Sequence, residues 1–78
     1  MKILIADDNK ASMARLRKII QAIKPKAKIH TVHDGHKALT TIEKLKPDIV
    51  FLDIEMPKLT GLEVANSLVD HKPPIIFT

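Results

Sequence analysis

The sequence predicts an α/β fold in which a parallel sheet carries helices on both faces. Two apolar runs, KILIA at 2–6 and DIVFLD at 48–53, do not alternate with polar residues, which is typical of strands buried on both faces. Segments with strand and helix patterns alternate along the chain, beginning and ending with a strand. Because parallel neighbours need crossover connections, this order favours right-handed strand, helix, strand units.

The first half of the chain contains two strands and one helix. From Asn9 to Lys24, apolar residues recur at spacings of three and four, which predicts an amphipathic helix that Pro25 ends. Its predicted core face consists of Met13, Leu16, Ile19, Ile20 and Ile23. The segment AKIHTV at 27–32 has weaker apolar content, which suits an edge strand. HDGH at 33–36 predicts a turn in which the glycine is available for positive φ.

The second half repeats the alternation. A helix is predicted over 37–46, ended by the dipeptide KP, with Ala38, Leu39, Ile42 and Leu45 on one face. After the strand at 48–53, the loop IEMPKLTG at 54–61 leads to a third helix over 62–68. A double proline then precedes the last apolar run, IIFT at 75–78, which is a fourth strand.

Length and composition limit the possible classes of protein. Seventy-eight residues make one small domain, and at this length a chain buries only about 60% of its unfolded surface. The absence of cysteine excludes a disulfide framework and a thiolate metal site, and makes the cytosol the default location. The N-terminal apolar run is too short for a signal peptide or a membrane span, so we expect no membrane role.

Three acids follow two of the strands. Asp7 and Asp8 end the first strand, and Asp53 ends the third. In an open parallel sheet the ligand site lies beyond the carboxyl ends of the strands, so the three carboxylates converge if these strands are neighbours. Their mutual repulsion then needs an offset, and Mg²⁺ suits such oxygen ligands better than zinc or copper. The alternative, that Asp7 and Asp8 only cap the first helix, leaves Asp53 unexplained.

A metal held by carboxylates also meets the needs of phosphoryl transfer. Asp53 would be the oxygen nucleophile, and the cation would neutralise the phosphoryl oxygens. The hydroxyl of Thr78, at the end of the fourth strand, could reach one of those oxygens, although an ordinary strand threonine would look the same.

With these residues in view, the sequence resembles the receiver domain of two-component response regulators. The resemblance rests on ILIADD, on DIVFLDIEMPKLTGLEVA and on the terminal IIFT, and it covers the whole chain in the right order. It implies a flavodoxin-like doubly wound sheet with strand order 2-1-3-4. Relative to the family the sheet is incomplete, since the fifth strand and the last two helices are missing, so residues 1–78 correspond to the N-terminal part of a receiver domain.

The resemblance also implies roles for individual residues. Asp53 would be the phosphoacceptor, phosphorylated by a sensor histidine kinase. Asp8 and Asp53 would bind Mg²⁺ directly, as would the backbone carbonyl of Glu55, and Asp7 would act through a water molecule. Thr78 would be the switch hydroxyl. The lysine with which the family contacts the phosphoryl group lies on the missing fifth strand, and no lysine of this chain takes its role.

The shortened sheet suggests an alternative function. The fourth strand would present an open edge with apolar residues on both faces, so we expect self-association by strand pairing or by exchange of elements. A fragment of this kind could be a structural module that is not phosphorylated. In the full-length parent, the family resemblance implies control of transcription, with DNA contacted only through an output domain absent here.

Three other readings of the sequence have weaker support. The basic stretch KPKAK at 24–28 could contact nucleic acid phosphates, but it lacks interleaved aromatic residues and reads as a solvated loop. His30, His33 and His36 recur every third residue, yet they run from a strand into a turn and are expected to be solvated. A phosphatase with an aspartyl nucleophile would need a D-x-D pair in its first motif and a downstream lysine. The chain has no D-x-D pair, so the phosphatase alternative lacks support.

Overall fold

A computed structural model describes residues 1–78 as a four-stranded parallel sheet with three helices. The elements are β1 (Lys2–Ala6), α1 (Lys10–Ile23), β2 (Lys28–Val32), α2 (Gly35–Leu45), β3 (Ile49–Leu52), α3 (Gly61–Ser67) and β4 (Ile75–Phe77). The strand order is β2-β1-β3-β4. The predicted fold class and strand order are therefore confirmed, with β2 at one edge and β4 at the other.

The strand register brings the ends of β1 and β3 side by side. Ala6 pairs with Leu52, and Asp53 N–H donates to the Ala6 carbonyl over 2.9 Å just beyond that pair. The first strand is thus central, with the edge strand β2 on its other side. Because β1 and β3 are neighbours in the sheet, the acids that follow β1 lie next to the acid that follows β3.

Two apolar cores pack on the two faces of the sheet, as expected when strands are buried on both sides. Under α2 and α3 the core contains Leu4, Ala6, Ala38, Ile42, Val50, Leu52, Met56, Val64 and Leu68. Under α1 the core is smaller and contains Ile3, Ile5, Met13 and Ile20. The alternate residues of β1 and β3 supply both cores, which explains why these strands are apolar without interruption.

Only part of the predicted apolar stripe of α1 is buried. Met13 and Ile20 are buried and Leu16 is half-buried, but Ile19 and Ile23 are 51% and 69% exposed. The buried stripe follows residues seven positions apart, and the two exposed isoleucines lie on its flank. The prediction that all five residues form a core face is therefore wrong for Ile19 and Ile23.

The start of α2 also differs from the prediction. The helix begins at Gly35 rather than at residue 37, because Asp34 caps it by accepting a hydrogen bond from Lys37 N–H over 2.8 Å. No glycine of the chain has positive φ, so Gly35 is not the left-handed turn residue that the sequence suggested. The other helix ends lie within one residue of their predicted positions.

His30, His33 and His36 are exposed, in agreement with the solvated positions expected for them. His71, to which the sequence assigned nothing, is half-buried, and its Nε2 lies 2.7 Å from the Pro47 carbonyl oxygen. This contact ties the segment before β4 to the segment before β3. No helix of the chain has both the length and the apolar content needed to cross a bilayer.

Candidate functional site

Three carboxylates meet at the carboxyl edge of the sheet. Asp7, Asp8 and Asp53 each place one carboxylate oxygen within 4.8 Å of the others. Asp7 and Asp53 are half-buried, and Asp8 is exposed. The chain's sole ion pair, between Lys58 and Asp34, lies elsewhere, so no lysine or arginine neutralises the cluster. Three carboxylates this close together, with no cationic side chain paired to them, create a strongly negative electrostatic potential around a set of oxygen ligands.

Asp7 and Asp8 do not cap α1. The cap is Asn9, whose side-chain oxygen accepts from Ser12 N–H over 3.0 Å. Asp7 Oδ1 instead accepts from Asn9 N–H over 2.8 Å, which holds the chain as it leaves β1. The reading in which the paired acids only cap the helix is therefore wrong, and their carboxylates lie in the acidic cluster instead.

The carboxyl group of Asp53 is affected by burial and by its acidic neighbours. Burial raises the pKa of Asp53 above its ordinary value, and the negative charges of Asp7 and Asp8 raise it further. The Glu55 N–H opposes these effects by donating to Asp53 Oδ1 over 3.2 Å. The ionised form of Asp53 is thus disfavoured in the folded chain, as expected where an external cation would supply the missing charge.

The donor set fits Mg²⁺. All the candidate ligands are oxygens, and they include no thiolate or imidazole, which suits a hard cation. The family resemblance implies that Asp8, Asp53 and the Glu55 carbonyl would bind the cation directly and Asp7 through water, and the structure brings the three carboxylates together. The Glu55 side chain is exposed, and its backbone follows Asp53 by two residues.

Thr78 lies beside Asp53 across the β3–β4 pair. Its N–H donates to the Leu52 carbonyl over 3.0 Å, and its carbonyl accepts from Ile54 N–H over 3.5 Å, so Thr78 is level with Asp53 in the ladder. Thr78 thus lies at the same edge of the sheet as Asp53, just beyond the neighbouring strand. The Thr78 side chain is exposed.

A glycine lets α3 begin close to Asp53. A Cβ at Gly61 would overlap the carbonyl oxygen of Asp53, and Gly61 N–H donates to the Ile54 carbonyl over 2.7 Å. The helix is then fixed by a capping box, in which Thr60 and Glu63 each accept the other's backbone N–H. Any side chain at position 61 would push α3 away from the backbone of Asp53.

The loop between β3 and α3 contains a tight turn centred on Lys58. Leu59 N–H donates to the Pro57 carbonyl over 2.9 Å, and Lys58 has φ of 74°, which together make a γ-turn. The same carbonyl accepts from Gly35 N–H over 3.2 Å. The start of α2 therefore contacts this loop directly, a relation that the sequence did not reveal because Gly35 and Leu59 are far apart in the chain.

Comparisons with known proteins agree on one family. The family model described as "Response regulator receiver domain" matches residues 3–78. Among curated proteins, the transcriptional regulatory protein BtsR of Salmonella typhi is 35% identical, and the positive alginate biosynthesis regulatory protein of Pseudomonas aeruginosa is 40% identical. Both alignments cover 99% of this chain but only 33% and 32% of those proteins, so the chain spans about a third of their length.

Solved structures give the same result. The response regulator domain of Thermotoga maritima CheB superposes with a TM-score of 0.86 at 32% identity, covering 99% of this chain and 58% of that one. The N-terminal domain of the Wolinella succinogenes protein WS1339 superposes with a TM-score of 0.87, also at 32% identity, covering 99% of this chain and 62% of that one.

Proposed function

The chain belongs to the response regulator receiver domain family. We therefore propose that it is a phosphoacceptor of a two-component system, and that it is phosphorylated on Asp53 in the presence of Mg²⁺. The observation that carries the proposal is the meeting of Asp7, Asp8 and Asp53 at one edge of the sheet, without a cationic side chain. We further propose that residues 1–78 form the N-terminal part of a receiver domain.

The proposed chemistry is transfer of a phosphoryl group to a carboxylate. An oxygen of Asp53 attacks the phosphorus of the donor, and the bond from that phosphorus to the donor breaks. The Glu55 N–H orients the carboxylate, and the exposed Thr78 hydroxyl bonds a phosphoryl oxygen after transfer. When bound, Mg²⁺ supplies the positive charge that offsets the charge on the phosphoryl oxygens.

Receiver domains interact with sensor histidine kinases and with output domains, and we propose a sensor histidine kinase as the phosphodonor here. The relatives named as transcriptional regulators suggest control of transcription in a longer parent, with DNA contacted through its output domain. A Vibrio cholerae relative, 38% identical, is named protein-glutamate methylesterase/protein-glutamine glutaminase 3, so outputs differ within the family. We place the chain in the cytoplasm, where two-component regulators act.

The test is phosphorylation by a small donor. The chain is incubated with acetyl phosphate and Mg²⁺, and its intact mass is measured. We expect a gain of one phosphoryl group that is lost in Asp53→Ala and without Mg²⁺. Asp70→Ala, which removes an exposed acid outside the cluster, should be phosphorylated like the wild type. Absence of any mass gain in the wild type, or an equal gain in Asp53→Ala, would refute the assignment.

A second candidate function is a structural module that self-associates without being phosphorylated. It is favoured by β4, the outer strand of the sheet, on which Ile76 and Phe77 are 44% and 41% exposed. Two copies could pair along β4 or exchange it. Concentration-dependent association of a chain that takes up neither Mg²⁺ nor phosphate would favour this function over the first.

A further inference from the structure

Gly35 is the first residue of α2, and it is buried against the loop that follows the candidate phosphoacceptor. A Cβ at this position would overlap the carbonyl oxygen and the Cβ of Leu59. Because the φ of Gly35 is not positive, glycine is needed here for space and not for backbone conformation. A hydrogen bond from Gly35 N–H to the Pro57 carbonyl uses this close approach.

The γ-turn centred on Lys58 shares its acceptor, the Pro57 carbonyl, with that contact. A non-glycine residue with φ of 74° adopts a conformation that L-residues rarely occupy, and such conformations persist where surrounding contacts fix them. Here the Pro57 carbonyl accepts from both Leu59 and Gly35. Lys58 Nζ also lies 4.0 Å from Asp34 Oδ2, but the lysine side chain is 62% exposed, so this ion pair adds little.

The turn is three residues from Glu55 and five from Asp53. Between them, Met56 is buried in the core shared by α2 and α3. The backbone of Glu55 is thus held on one side by its own N–H bond to Asp53 and on the other by Met56 and the anchored Pro57. A shift of the turn would therefore move the Glu55 amide and carbonyl relative to Asp53.

We propose that Gly35 is a positioning residue for the proposed phosphoacceptor site. Because it has no Cβ, the turn at 57–59 can pack against the start of α2, and this packing fixes the position of the Glu55 backbone relative to Asp53. This inference rests on the proposed function. Residues that orient the ligands of a metal typically change metal affinity by about 10- to 100-fold when they are replaced.

The experiment compares two substitutions at the exposed position 58, where the chain is expected to fold with either residue. In Lys58→Pro, φ is confined to negative values, so the turn cannot keep the positive φ that it has at Lys58. In Lys58→Gly, positive φ is freely available and the turn is kept without the lysine side chain. Gly35→Ala tests the contact from the other side. Ile42→Val, in the same helix and in the core that Met56 shares, serves as a control that lowers stability without changing the Gly35 contact.

Two readouts separate positioning from general stability. The first, taken without metal, is the amide chemical shift of Glu55 and Asp53; the second is the Mg²⁺ dissociation constant well below the melting temperature. We expect Lys58→Pro and Gly35→Ala to move both amides and to weaken Mg²⁺ binding by about tenfold. Lys58→Gly and Ile42→Val should match the wild type in both measurements.

Each outcome decides the matter. If Lys58→Pro leaves the two amides and the Mg²⁺ affinity at wild-type values, Gly35 and its turn have no positioning role, whether or not Gly35→Ala folds. If Ile42→Val weakens Mg²⁺ binding as much as Lys58→Pro does, the effect is loss of stability and the inference is wrong. If the wild type itself binds no Mg²⁺ and accepts no phosphate, the proposed function fails first, and the inference with it.

Discussion

At the scale of single residues, the folded chain keeps a carboxylate where ionisation is unfavourable. Asp53 combines partial burial with two acidic neighbours, and both raise its pKa above the ordinary value of 3.8. The folded chain therefore binds a proton on Asp53 more tightly than the unfolded chain does. It follows that the contribution of Asp53 to the free energy of unfolding falls as the pH rises from about 3.8 through the folded pKa.

We predict that Asp53→Asn raises the melting temperature of the metal-free chain at neutral pH, because it removes this repulsion. Since solvent screens the site, the gain is about 0.5 kcal/mol, or roughly 2–4 °C. The difference from the wild type should vanish below pH 3.8, where the unfolded carboxyl is also protonated. Added Mg²⁺ should stabilise the wild type and not the variant. Thermal unfolding followed by circular dichroism, with and without Mg²⁺, measures both effects.

Asp70→Asn is the control for this prediction, since it removes an exposed acid away from the cluster. It should leave the melting temperature unchanged, and Mg²⁺ should stabilise it as it does the wild type. An Asp53→Asn chain less stable than the wild type at neutral pH would show that the carboxylate is stabilising, and that the repulsion inferred from the cluster is already offset.

The sequence predicted where the acidic residues lie, but it did not predict why glycine is needed at positions 35 and 61. Asp7, Asp8 and Asp53 each end an apolar strand, so their position at one edge follows from the parallel sheet. The need for glycine at 35 and 61 depends on approaches to Leu59 and to Asp53, which only the folded chain shows. A glycine beside an aspartate predicted a turn, because local sequence reports backbone preference and not the space between distant segments.

At the scale of elements, the helices are fixed mainly at their ends. Each N-cap is a side chain that accepts a backbone N–H of the first turn, from Asn9, Asp34 and Thr60. Periodicity located all three helices, but it did not give the width of the buried stripe of α1. That width depends on how far the helix lies from the sheet, which the amino-acid pattern does not specify.

We predict that Asn9→Ala lowers the free energy of unfolding by about 1 kcal/mol, because it removes the cap of α1. The measurement is urea denaturation, with Gln21→Ala as the control, since that change affects an exposed residue of the same helix. Because the Asn9 N–H still bonds Asp7, Mg²⁺ affinity should change little. An Asn9→Ala chain as stable as the Gln21→Ala chain would show that the cap contributes nothing.

We predict a larger loss for Leu52→Ala, which empties a fully buried position in β3 next to Asp53. The loss of a buried leucine costs about 2–5 kcal/mol, a large share of the stability of a chain this small. Leu62→Ala is the matched control, because Leu62 is 51% exposed on α3. Urea midpoints for the two variants measure the difference, and equal midpoints would contradict the packing described for the larger core.

At the scale of the whole molecule, the sheet ends in two unlike edges. The β2 edge begins with the exposed Lys28, and lysine on an edge strand discourages pairing with another sheet. The β4 edge has no charged residue, and it exposes Ile76 and Phe77. Association between copies is therefore expected along β4 and not along β2.

We predict that sedimentation velocity detects dimers or larger assemblies of the wild-type chain at high concentration, and that Ile76→Lys shifts it toward monomer. A lysine placed within the strand opposes pairing through charge repulsion and lost apolar contact. Val69→Lys is the control, because Val69 is 76% exposed but lies outside the strand. A compact monomer that unfolds cooperatively at every concentration would count against association through β4.

The central place of β1 determines when, during folding, the three aspartates of the acidic cluster come together. The register joins Ala6 to Leu52, so the aspartates adjoining this pair come together only after both intervening crossovers have formed. A nascent chain still emerging from the ribosome holds Asp7 and Asp8 alone, and long-range pairing of this kind is slow to form. A copy in which β3 has not yet paired with β1 therefore lacks the three-carboxylate cluster, so the cluster marks the completion of both crossovers.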